Sequence, residues 1–319
     1  MKKLLLILNP RARQRKANRY LPDMLRLFWD NGYQCVTYVT KAAGDATQFL
    51  LECEDEFDLV VCIGGDGTLN ETVAGILGSD RKCPIGYIPA GTTNDYASSI
   101  GLSGDIMQAA RDIMSGQPQA LDVGLFNGRY FVYTATTGAF AKASYTTSQA
   151  AKNLLGHAAY VLEGMRDLAS LRPLKLHIET DGRSMDEDFI FCSITNSTSV
   201  GGILKLDSRL VSLNDGLFEV TLVKNPANPA QLSRIVYGLT TLEIPNEMIY
   251  FFSANKISIS CDNDLDWTLD GEREASDGNV KLENLQGAIQ LILPARKNTS
   301  LPMIPEDEEA EIEEDIDED

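Results

Sequence analysis

Two acidic turns rich in glycine and one cationic loop carry the residue types best suited to chemistry on a phosphate. The stretch VCIGGDGTLNETVA at 61–74 places Asp66 between glycines, after an apolar run and before a helix-like segment. Such a turn presents consecutive backbone N–H groups beside the positive end of a helix, and this arrangement binds anions. Asp66 would repel a phosphate, which favours a Mg²⁺ ion or ordered water between the two groups. The other interpretation is a tight strand-to-helix turn that Asp66 caps.

Two further loops hold the same position after a predicted strand. In IPAGTTNDYA at 88–97, an apolar strand runs into Thr93, Asn94 and Asp95. In NPRARQRK at 9–16, three arginines and one lysine follow the first apolar run. The carboxyl ends of parallel strands meet at one edge of a sheet, where ligands bind in open α/β folds. We therefore predict one anion site built from three loops, although the chain has neither a Rossmann GxGxxG nor a Walker GxxxxGK[ST] pattern.

These loops require an α/β framework, and the first part of the chain has its pattern. Apolar runs at 4–8, 34–39, 58–63 and 84–89 alternate with helix-like segments at 19–29, 43–51 and 69–77. Near-continuous apolar strands that alternate with helices predict a parallel sheet covered by helices on both faces. We place this α/β domain at residues 1–122.

The second part of the chain has a different pattern. Strand-like runs with turn residues between them lie at 129–136, 174–180, 188–195, 217–223, 256–261, 266–270 and 288–293. Helical segments interrupt them at about 150–170 and 229–242. This pattern predicts an antiparallel, β-rich domain at residues 123–295, either a sandwich or a barrel.

Composition restricts the class of protein further. The chain has 319 residues, a net charge of −18 and 44% hydrophobic residues, which is enough for two packed domains. Eleven of its 46 acidic residues lie at 306–319, within a tail at residues 296–319 that we predict to be disordered and solvated. The acidity argues against a nucleic-acid partner. Six cysteines without metal-ligand spacing indicate reduced thiols and a cytoplasmic location, and no apolar run is long enough to span a bilayer.

An ordered set of motifs resembles a known family. GGDGTLNE at 64–71 and PAGTTND at 89–95 look like the diacylglycerol kinase catalytic domain, and the chain from residue 1 to about 293 resembles the bacterial soluble lipid kinases of this class. The similarity includes LDVGLFNGRYF (121–131), TNSTSVGG (195–202), LNDGLFEV (213–220) and LDGE (269–272). It implies ATP-dependent phosphorylation of diacylglycerol, or of a related lipid alcohol, in the cleft between an α/β domain and a β-rich domain. NAD kinases and phosphofructokinases have related forms of GGDGT alone.

The resemblance also implies roles for single residues. Asp270 would be the general base with Glu272 in reserve, Asp66 would organise Mg²⁺, and Asp95 would join the same polar network. A structural Mg²⁺ would be bound by Asp215 and the carbonyls of Ser212 and Leu217. The nucleotide would contact Asn9, Pro10, Arg11, Ala12, Arg13, Thr40, Gly64, Gly65, Asp66, Gly67, Thr68, Leu69, Asn70, Thr92 and Asn94. Without the family, LDGE indicates a β-turn and LNDG a hairpin turn.

Departures from the family pattern leave alternatives open. After Asn9-Pro10 the family has a small residue, Ser and Gly, whereas Arg11, Ala12 and Arg13 stand here. Ser98 or Ser99 stands where the family often has an arginine. A non-catalytic relative that binds nucleotide or lipid, and an NAD kinase, are therefore the alternatives to a lipid kinase. The lipid would be reached at the membrane surface by a cytoplasmic protein that associates with it transiently, and the sequence leaves open whether the protein is a homodimer.

Overall fold

The computed structural model describes residues 1–12, 16–138, 173–200, 204–205, 211–241, 243–261 and 264–295. The predicted helix at about 150–170, the loop residue Arg13 and the acidic tail at 306–319 lie outside these ranges. The part of TNSTSVGG at 201–202 also lies outside them.

The first part of the chain is a parallel α/β domain, as predicted. Its strands β1 (Lys2–Leu8), β2 (Tyr33–Val39), β3 (Leu59–Gly64) and β4 (Ile85–Pro89) pair in the spatial order β4-β3-β1-β2. Its helices are α1 (Lys16–Asp30), α2 (Asp45–Glu52), α3 (Asp66–Gly78), α4 (Asp95–Ser99) and α5 (Ile106–Ser115). All strand pairings among β1 to β4 are parallel.

Side-chain alternation along β1 explains why helices cover both faces of this sheet. Leu5 and Ile7 pack in one hydrophobic core with residues of α2 and α3. Leu4 and Leu6 point to the opposite face and pack in a second core with residues of α1 and α5. Successive strand side chains point to opposite faces, so a strand that is apolar throughout needs cover on both. The apolar runs seen in the sequence are therefore buried strands of a central sheet.

The second part of the chain is β-rich and antiparallel, which also agrees with the prediction. One helix, α6 (Pro229–Thr241), accompanies the strands in the described part of this region. The strands are β5 (Gln117–Phe126), β6 (Arg129–Phe131), β7 (Thr134–Gly138), β8 (Leu174–Thr180), β9 (Arg183–Thr195), β10 (Ser199–Val200), β11 (Leu204–Lys205), β12 (Phe218–Lys224), β13 (Ile249–Ala254), β14 (Lys256–Ser260), β15 (Leu265–Leu269), β16 (Glu272–Ser276) and β17 (Asn279–Leu293).

The long strand β17 connects the two parts. Its first half pairs with β14, most of its length pairs with β5, and Leu291 pairs in parallel with Ile85 of β4. As a result, all described strands except the separate pair β10-β11 belong to one hydrogen-bonded sheet, whose main path is β16-β15-β7-β9-β8-β14-β17-β4-β3-β1-β2. Leu291 and Leu293 pack in a core of the α/β domain. Strand β5 crosses residue 122, where we placed the domain boundary, and the boundary itself stays a prediction.

Several details differ from the predicted elements, and the strands β5, β10, β11 and β16 are among the elements that were not predicted. The run at 129–136 is not one strand, because the chain leaves the ladder between β6 and β7. There the N–H groups of Val132, Tyr133 and Thr134 turn towards the Asp270 carboxylate. Helix α5 and strand β13 were not predicted, although both have buried apolar faces.

Close packing of α3 against α2 gives a test of the fold. A Cβ atom at Gly75 would lie 2.7 Å from the Leu50 Cβ and 3.2 Å from the Thr47 Cα. We expect Gly75→Ala to lower the free energy of unfolding by about 1–3 kcal/mol, although alanine favours helix by about 1 kcal/mol. Urea unfolding followed by circular dichroism measures the change.

Gly78→Ala in the same helix is the matched control. Its new Cβ would approach only the terminal Cδ2 of the exposed Leu51, which is able to move. The control should be neutral or stabilising. Equal effects of the two substitutions would show that the α2–α3 contact does not limit the size of residue 75.

Candidate active site

A cleft of about 370 Å³ lies at the carboxyl ends of the parallel strands, where the three loops were expected to meet. One side of the cleft belongs to the α/β domain, and Glu272 of the β-rich region reaches its other side. The predicted residues that line it are Asn9, Pro10, Arg11, Ala12, Thr40, Gly65, Gly67, Thr68, Thr92 and Glu272.

Glycines allow two of these loops to approach each other closely. A Cβ atom at Gly91 would lie 2.5 Å from the Gly65 Cα, so neither loop tolerates a side chain there without moving. Asn94 fixes the second loop: its Oδ1 accepts from the Gly91 N–H at 2.7 Å and its Nδ2 donates to the Gly91 carbonyl at 3.1 Å. Asn94 has a positive φ of 52°, which asparagine tolerates better than most residues. The floor of the cleft is therefore exposed backbone.

The loop that follows β1 and begins at Asn9 is tied to α3 by the Asn9 side chain. Its Nδ2 donates to the Thr68 Oγ1 at 3.1 Å, and its Oδ1 accepts from the Arg11 N–H at 3.0 Å. Thr68 in turn requires Gly64, because a Cβ at residue 64 would lie 2.3 Å from the Thr68 Oγ1. The loop that departs from the family pattern is thus still joined to the glycine turn.

Asp66 does not cap its own helix, which excludes the simpler interpretation of the GGDG turn. The N-terminus of α3 has no side-chain cap. Instead, the Asp66 Oδ2 accepts from the Asp95 backbone N–H at 2.9 Å and its Oδ1 accepts from the Tyr87 hydroxyl at 3.2 Å. Burial, together with the negative charges of Asp95 and Asp270, raises the pKa of Asp66 to about 6. This carboxylate is in an environment short of positive charge.

Asp270 is enclosed by hydrogen-bond donors. Its Oδ1 accepts from the N–H groups of Tyr133 and Thr134 at 2.9 and 3.0 Å. Its Oδ2 accepts from the Val132 N–H at 2.5 Å and from the Asn70 Nδ2 at 2.8 Å. Burial raises the pKa of Asp270 above its usual range, and the four hydrogen bonds oppose that rise. Asp270 does not line the cleft.

Glu272 lies two residues beyond Asp270 and does line the cleft. Its Oε1 is 3.2 Å from the position that a Cβ would take at Gly67. Its Oε2 pairs with Arg129 Nη2 at 2.7 Å, and the other end of the Arg129 guanidinium pairs with Glu274. Glu272 is the carboxylate from the β-rich region that has an oxygen directed towards the glycine turn.

Sequence reasoning missed several lining residues: Lys41, Ala42, Ala43, Glu71 and Gly91. Glu71 is the most informative of them, because its two carboxylate oxygens accept from the Gly44 N–H at 2.8 Å and the Ala46 N–H at 3.2 Å. It therefore anchors the start of α2 and the loop before it to α3. The acidic position that ends GGDGTLNE was a signal for this role, whereas nothing distinguished Lys41 from other surface lysines.

The remaining predicted residues support the cleft from behind or lie elsewhere. Leu69 is buried in the core and Gly64 ends β3. Asn70 donates to Asp270, and Asp95 contributes its backbone N–H to Asp66. Ser212, Asp215 and Leu217 do not line the cleft and occupy a separate loop. Asp66 and Asn94 lie behind the lining residues, bonded as described above.

That separate loop has an acidic environment centred on Asp122, which the sequence did not single out. Asp122 is fully buried, and its carboxylate accepts from the Gly216 and Gly287 N–H groups, each at 2.7 Å. The Asp215 Oδ1 accepts from the Leu217 N–H at 2.9 Å. Burial, with the charges of Asp215 and Asp122, raises the pKa of Glu219 to about 9. Among the residues that the structure describes, the Glu219 Oε2 has no hydrogen-bond partner.

Comparisons with known proteins agree with this geometry. The diacylglycerol kinase catalytic domain model matches residues 3–126, and the YegS C-terminal NAD kinase beta sandwich-like domain model matches residues 133–293. The diacylglycerol kinase of Bacillus subtilis (strain 168) is 35% identical over 309 residues, which cover 94% of this chain and 99% of that protein.

The chain belongs to the diacylglycerol kinase catalytic domain family. The diacylglycerol kinase of Staphylococcus carnosus (strain TM300) is 32% identical over 305 residues, or 94% of this chain and 98% of that one. A solved structure from Bacillus anthracis str. Sterne has a TM-score of 0.74 at 24% identity and covers 92% of this chain and 96% of that one. A crystal structure from the same organism, described as a diacylglycerol kinase, has a TM-score of 0.70 at 23% identity, covering 92% and 97%.

These matches confirm the predicted family, the two-part α/β and β-sandwich fold, and the assignment of the chain to the lipid kinases of the diacylglycerol kinase class. Kinases of this family use ATP. Within the residues that the structure describes, no helix has the length and apolar character needed to cross a membrane.

The anchoring role of Glu71 gives a test of the cleft. We expect Glu71→Gln to raise the KM for ATP about tenfold with a smaller change in kcat, because one of its two N–H partners would face an amide donor and the loop at 40–44 would shift. Steady-state kinetics at saturating lipid measure both constants. Glu52→Gln, on the exposed part of α2, is the control and should leave both unchanged. An unchanged KM for ATP in Glu71→Gln would contradict the anchoring role.

The raised pKa of Asp66 predicts that a neutral residue at this position increases the stability of the fold, at the expense of activity. Its value of about 6 in the folded protein lies above the ordinary 3.8, so the folded state loses stability as the pH rises through this interval. We expect Asp66→Asn to abolish phosphoryl transfer and to increase the free energy of unfolding in metal-free buffer. Its advantage over wild type should be about 1 kcal/mol larger at pH 7.5 than at pH 5.5. A pH-independent difference in urea unfolding would refute this.

Proposed function

We propose that this protein transfers the γ-phosphoryl group of ATP to the free hydroxyl of diacylglycerol, which gives phosphatidic acid. The observation that carries the proposal is the single cleft in which exposed backbone of two glycine loops faces a carboxylate, Glu272, from the other half of the chain. Membership of the family and the diacylglycerol kinases at 32–35% identity support the choice of substrate. The lipid is taken from the membrane surface by a protein bound there transiently.

The α/β side of the cleft binds the nucleotide. Its phosphates lie along Gly65 and Gly67, where the first N–H groups of a helix have no intrahelical acceptor, beside Thr68, whose N–H donates to the Gly65 carbonyl at 3.0 Å. The loop at 91–92 closes the same surface from the second side. Arg11 and Lys41 also line the cleft and supply positive charge for the phosphates. These cationic side chains therefore face the phosphates in place of the glycine that the family has in the loop after β1.

Asp66 fits a divalent cation. Its described contacts are two hydrogen bonds, and no described lysine or arginine forms an ion pair with it. Oxygen donors of this kind suit Mg²⁺, and a cation at Asp66 relieves the charge that raises its pKa. When bound, Mg²⁺ neutralises negative charge on the transferring phosphate. Asp95 keeps Asp66 in place through its backbone N–H.

Glu272 accepts the proton of the lipid hydroxyl. The hydroxyl oxygen attacks the γ-phosphorus, its proton passes to Glu272, and the bond between the γ-phosphorus and the β–γ bridging oxygen breaks to release ADP. Asp270 was the first candidate for this role, but its two oxygens already accept from three backbone N–H groups and the Asn70 amide, and it is buried and does not line the cleft. We assign Asp270 to positioning Glu272, which follows it by two residues.

A second cation site is proposed at the loop 212–217. Asp215, with the carbonyls of Ser212 and Leu217, forms an oxygen-only donor set of the type that suits Mg²⁺. The buried Asp122 adds negative charge near it, and the Glu219 Oε2, which has no hydrogen-bond partner among the described residues, is an oxygen left without a donor there. No group of three His, Cys, Asp or Glu side chains is arranged to hold a metal ion in the described residues, so such a site depends on backbone carbonyls.

Phosphoryl transfer to lipid in detergent mixed micelles tests the function. Wild type with Mg²⁺ and ATP should convert diacylglycerol to phosphatidic acid, detected with γ-labelled ATP. We expect Glu272→Gln to lower kcat about 10²–10⁴-fold with an unchanged unfolding midpoint, because a general base is removed from an exposed position. Asp270→Asn should lower both activity and unfolding midpoint, because it alters a buried carboxylate with four donors.

Glu283→Gln is the control for charge removal. Glu283 pairs with Lys256 at 2.9 Å on strands outside the cleft, and its loss should leave kcat within twofold of wild type. No transfer by wild type to any of a panel of lipid alcohols would favour a non-catalytic relative. Phosphorylation of NAD without lipid would favour an NAD kinase.

A further inference from the structure

Arg129 lies beside the cleft and makes contacts that the reaction described above does not use. It belongs to the short strand β6, and its side chain is 39% exposed. One guanidinium nitrogen donates to the Glu272 Oε2 at 2.7 Å, and the other donates to the Glu274 Oε2. The planar guanidinium thus bridges two carboxylates of the same strand, at residues i and i+2, which point to one face of β16.

The bridge leaves the two oxygens of Glu272 in different environments. Oε2 is occupied by Arg129, whereas Oε1 faces the glycine turn at Gly67. A side chain with three rotatable bonds would otherwise sample many positions at 51% exposure. Arg129 therefore selects the orientation in which one oxygen is directed into the cleft.

The strand that carries Arg129 is itself fixed. Arg129 pairs with Phe126 of β5, and Phe131 pairs with Gly124. The next three residues donate their N–H groups to Asp270, the residue that begins the turn leading to Glu272. The backbone segments that carry Arg129 and Glu272 are therefore both fixed at the turn that begins at Asp270. Backbone contacts, rather than flexible side chains, set the distance between these two segments.

We propose that Arg129 is a positioning residue for phosphoryl transfer, which holds Glu272 with one oxygen towards the cleft, and that Glu274 anchors the arginine and balances its charge. This inference rests on the proposed function, in which Glu272 accepts the proton. It predicts that substitution of Arg129 and substitution of Glu274 shift the pH at which Glu272 becomes active in opposite directions.

The signs follow from the charges around Glu272. Arg129 is the cation in contact with it, and Glu274 reaches it through Arg129. Glu71 of α3 interacts with it as a second negative charge, and Arg11 and Lys41 line the same cleft. Loss of a positive neighbour favours the neutral form of a carboxyl and raises its pKa, whereas loss of a negative neighbour lowers it.

The experiment measures kcat/KM for diacylglycerol against pH at saturating Mg²⁺–ATP in mixed micelles. The acidic limb of this profile reports protonation of the base in the free enzyme. Arg129→Gln should move the limb to higher pH by about 0.5 unit or more and lower kcat at its plateau. Glu274→Gln should move it to lower pH by a smaller amount. Arg129→Lys keeps the charge but not the fork, so it should keep the wild-type limb and lower kcat.

Arg273→Gln is the matched control, because Arg273 lies between Glu272 and Glu274 on β16 but pairs with Asp266 at 2.7 Å at an exposed position. It should reproduce the wild-type profile. Circular dichroism and unfolding midpoints establish that each variant is folded. Should Arg129→Gln fail to fold, Glu274→Gln and Arg129→Lys decide the matter.

Two results separate this proposal from the function it rests on. Profiles of Arg129→Gln and Glu274→Gln that coincide with wild type, while Glu272→Gln is inactive, would overturn the role of Arg129 and leave the base in place. Full activity of Glu272→Gln would remove the base assignment itself and the proposal with it. Shifts of both limbs in the same direction would also overturn the proposal.

Discussion

The carboxylate of Asp270 is the group on which the active-site geometry depends. It binds three consecutive backbone N–H groups at 132–134 and the amide of Asn70 on α3, so it joins two segments that are far apart in the sequence to the turn between β15 and β16. That turn has positive φ angles at Asp270 and Gly271, at 49° and 87°. Its strain is offset by hydrogen bonds to a charged acceptor, which are among the stronger ones in proteins. Because Glu272 starts the next strand, its position follows from this one buried interaction.

Buried acidic groups behind the cleft and near the loop 212–217 place a second constraint on the stability of the fold. Asp66, Asp122 and Glu219 are buried or partly buried, and burial raises the pKa of each. Groups of this kind destabilise a fold unless a cation or donor compensates them, and they cluster at functional sites. Backbone N–H groups and Tyr87, rather than lysine or arginine, satisfy Asp66 and Asp122, and the Glu219 Oε2 has no partner among the described residues. In the proposed function, the negative charge that no described lysine or arginine neutralises is available to a cation.

Much of the fold and part of the site could be predicted from the sequence, for physical reasons that differ between residues. Apolar runs such as β3 are buried on both faces, so their pattern alone indicated a parallel sheet. The glycines at 64, 65 and 91 are required by close contacts, and their spacing marked the loops correctly. The break between β6 and β7 was invisible, because it arises from a carboxylate more than 130 residues away in the chain. The same is true of Arg129 and Asp122, whose partners are set by tertiary contacts and not by local pattern.

The strand β17 has a consequence for the order of events during synthesis. It spans residues 279–293, yet Leu291 and Leu293 complete a core that otherwise consists largely of residues before 134. The first parallel strands leave the ribosome long before β17 does. The edge of the sheet beside β4 is therefore unpaired until β17 has been made. The nucleotide-binding half is therefore complete only when β17 has been made, and catalytic competence arises after translation has passed this strand.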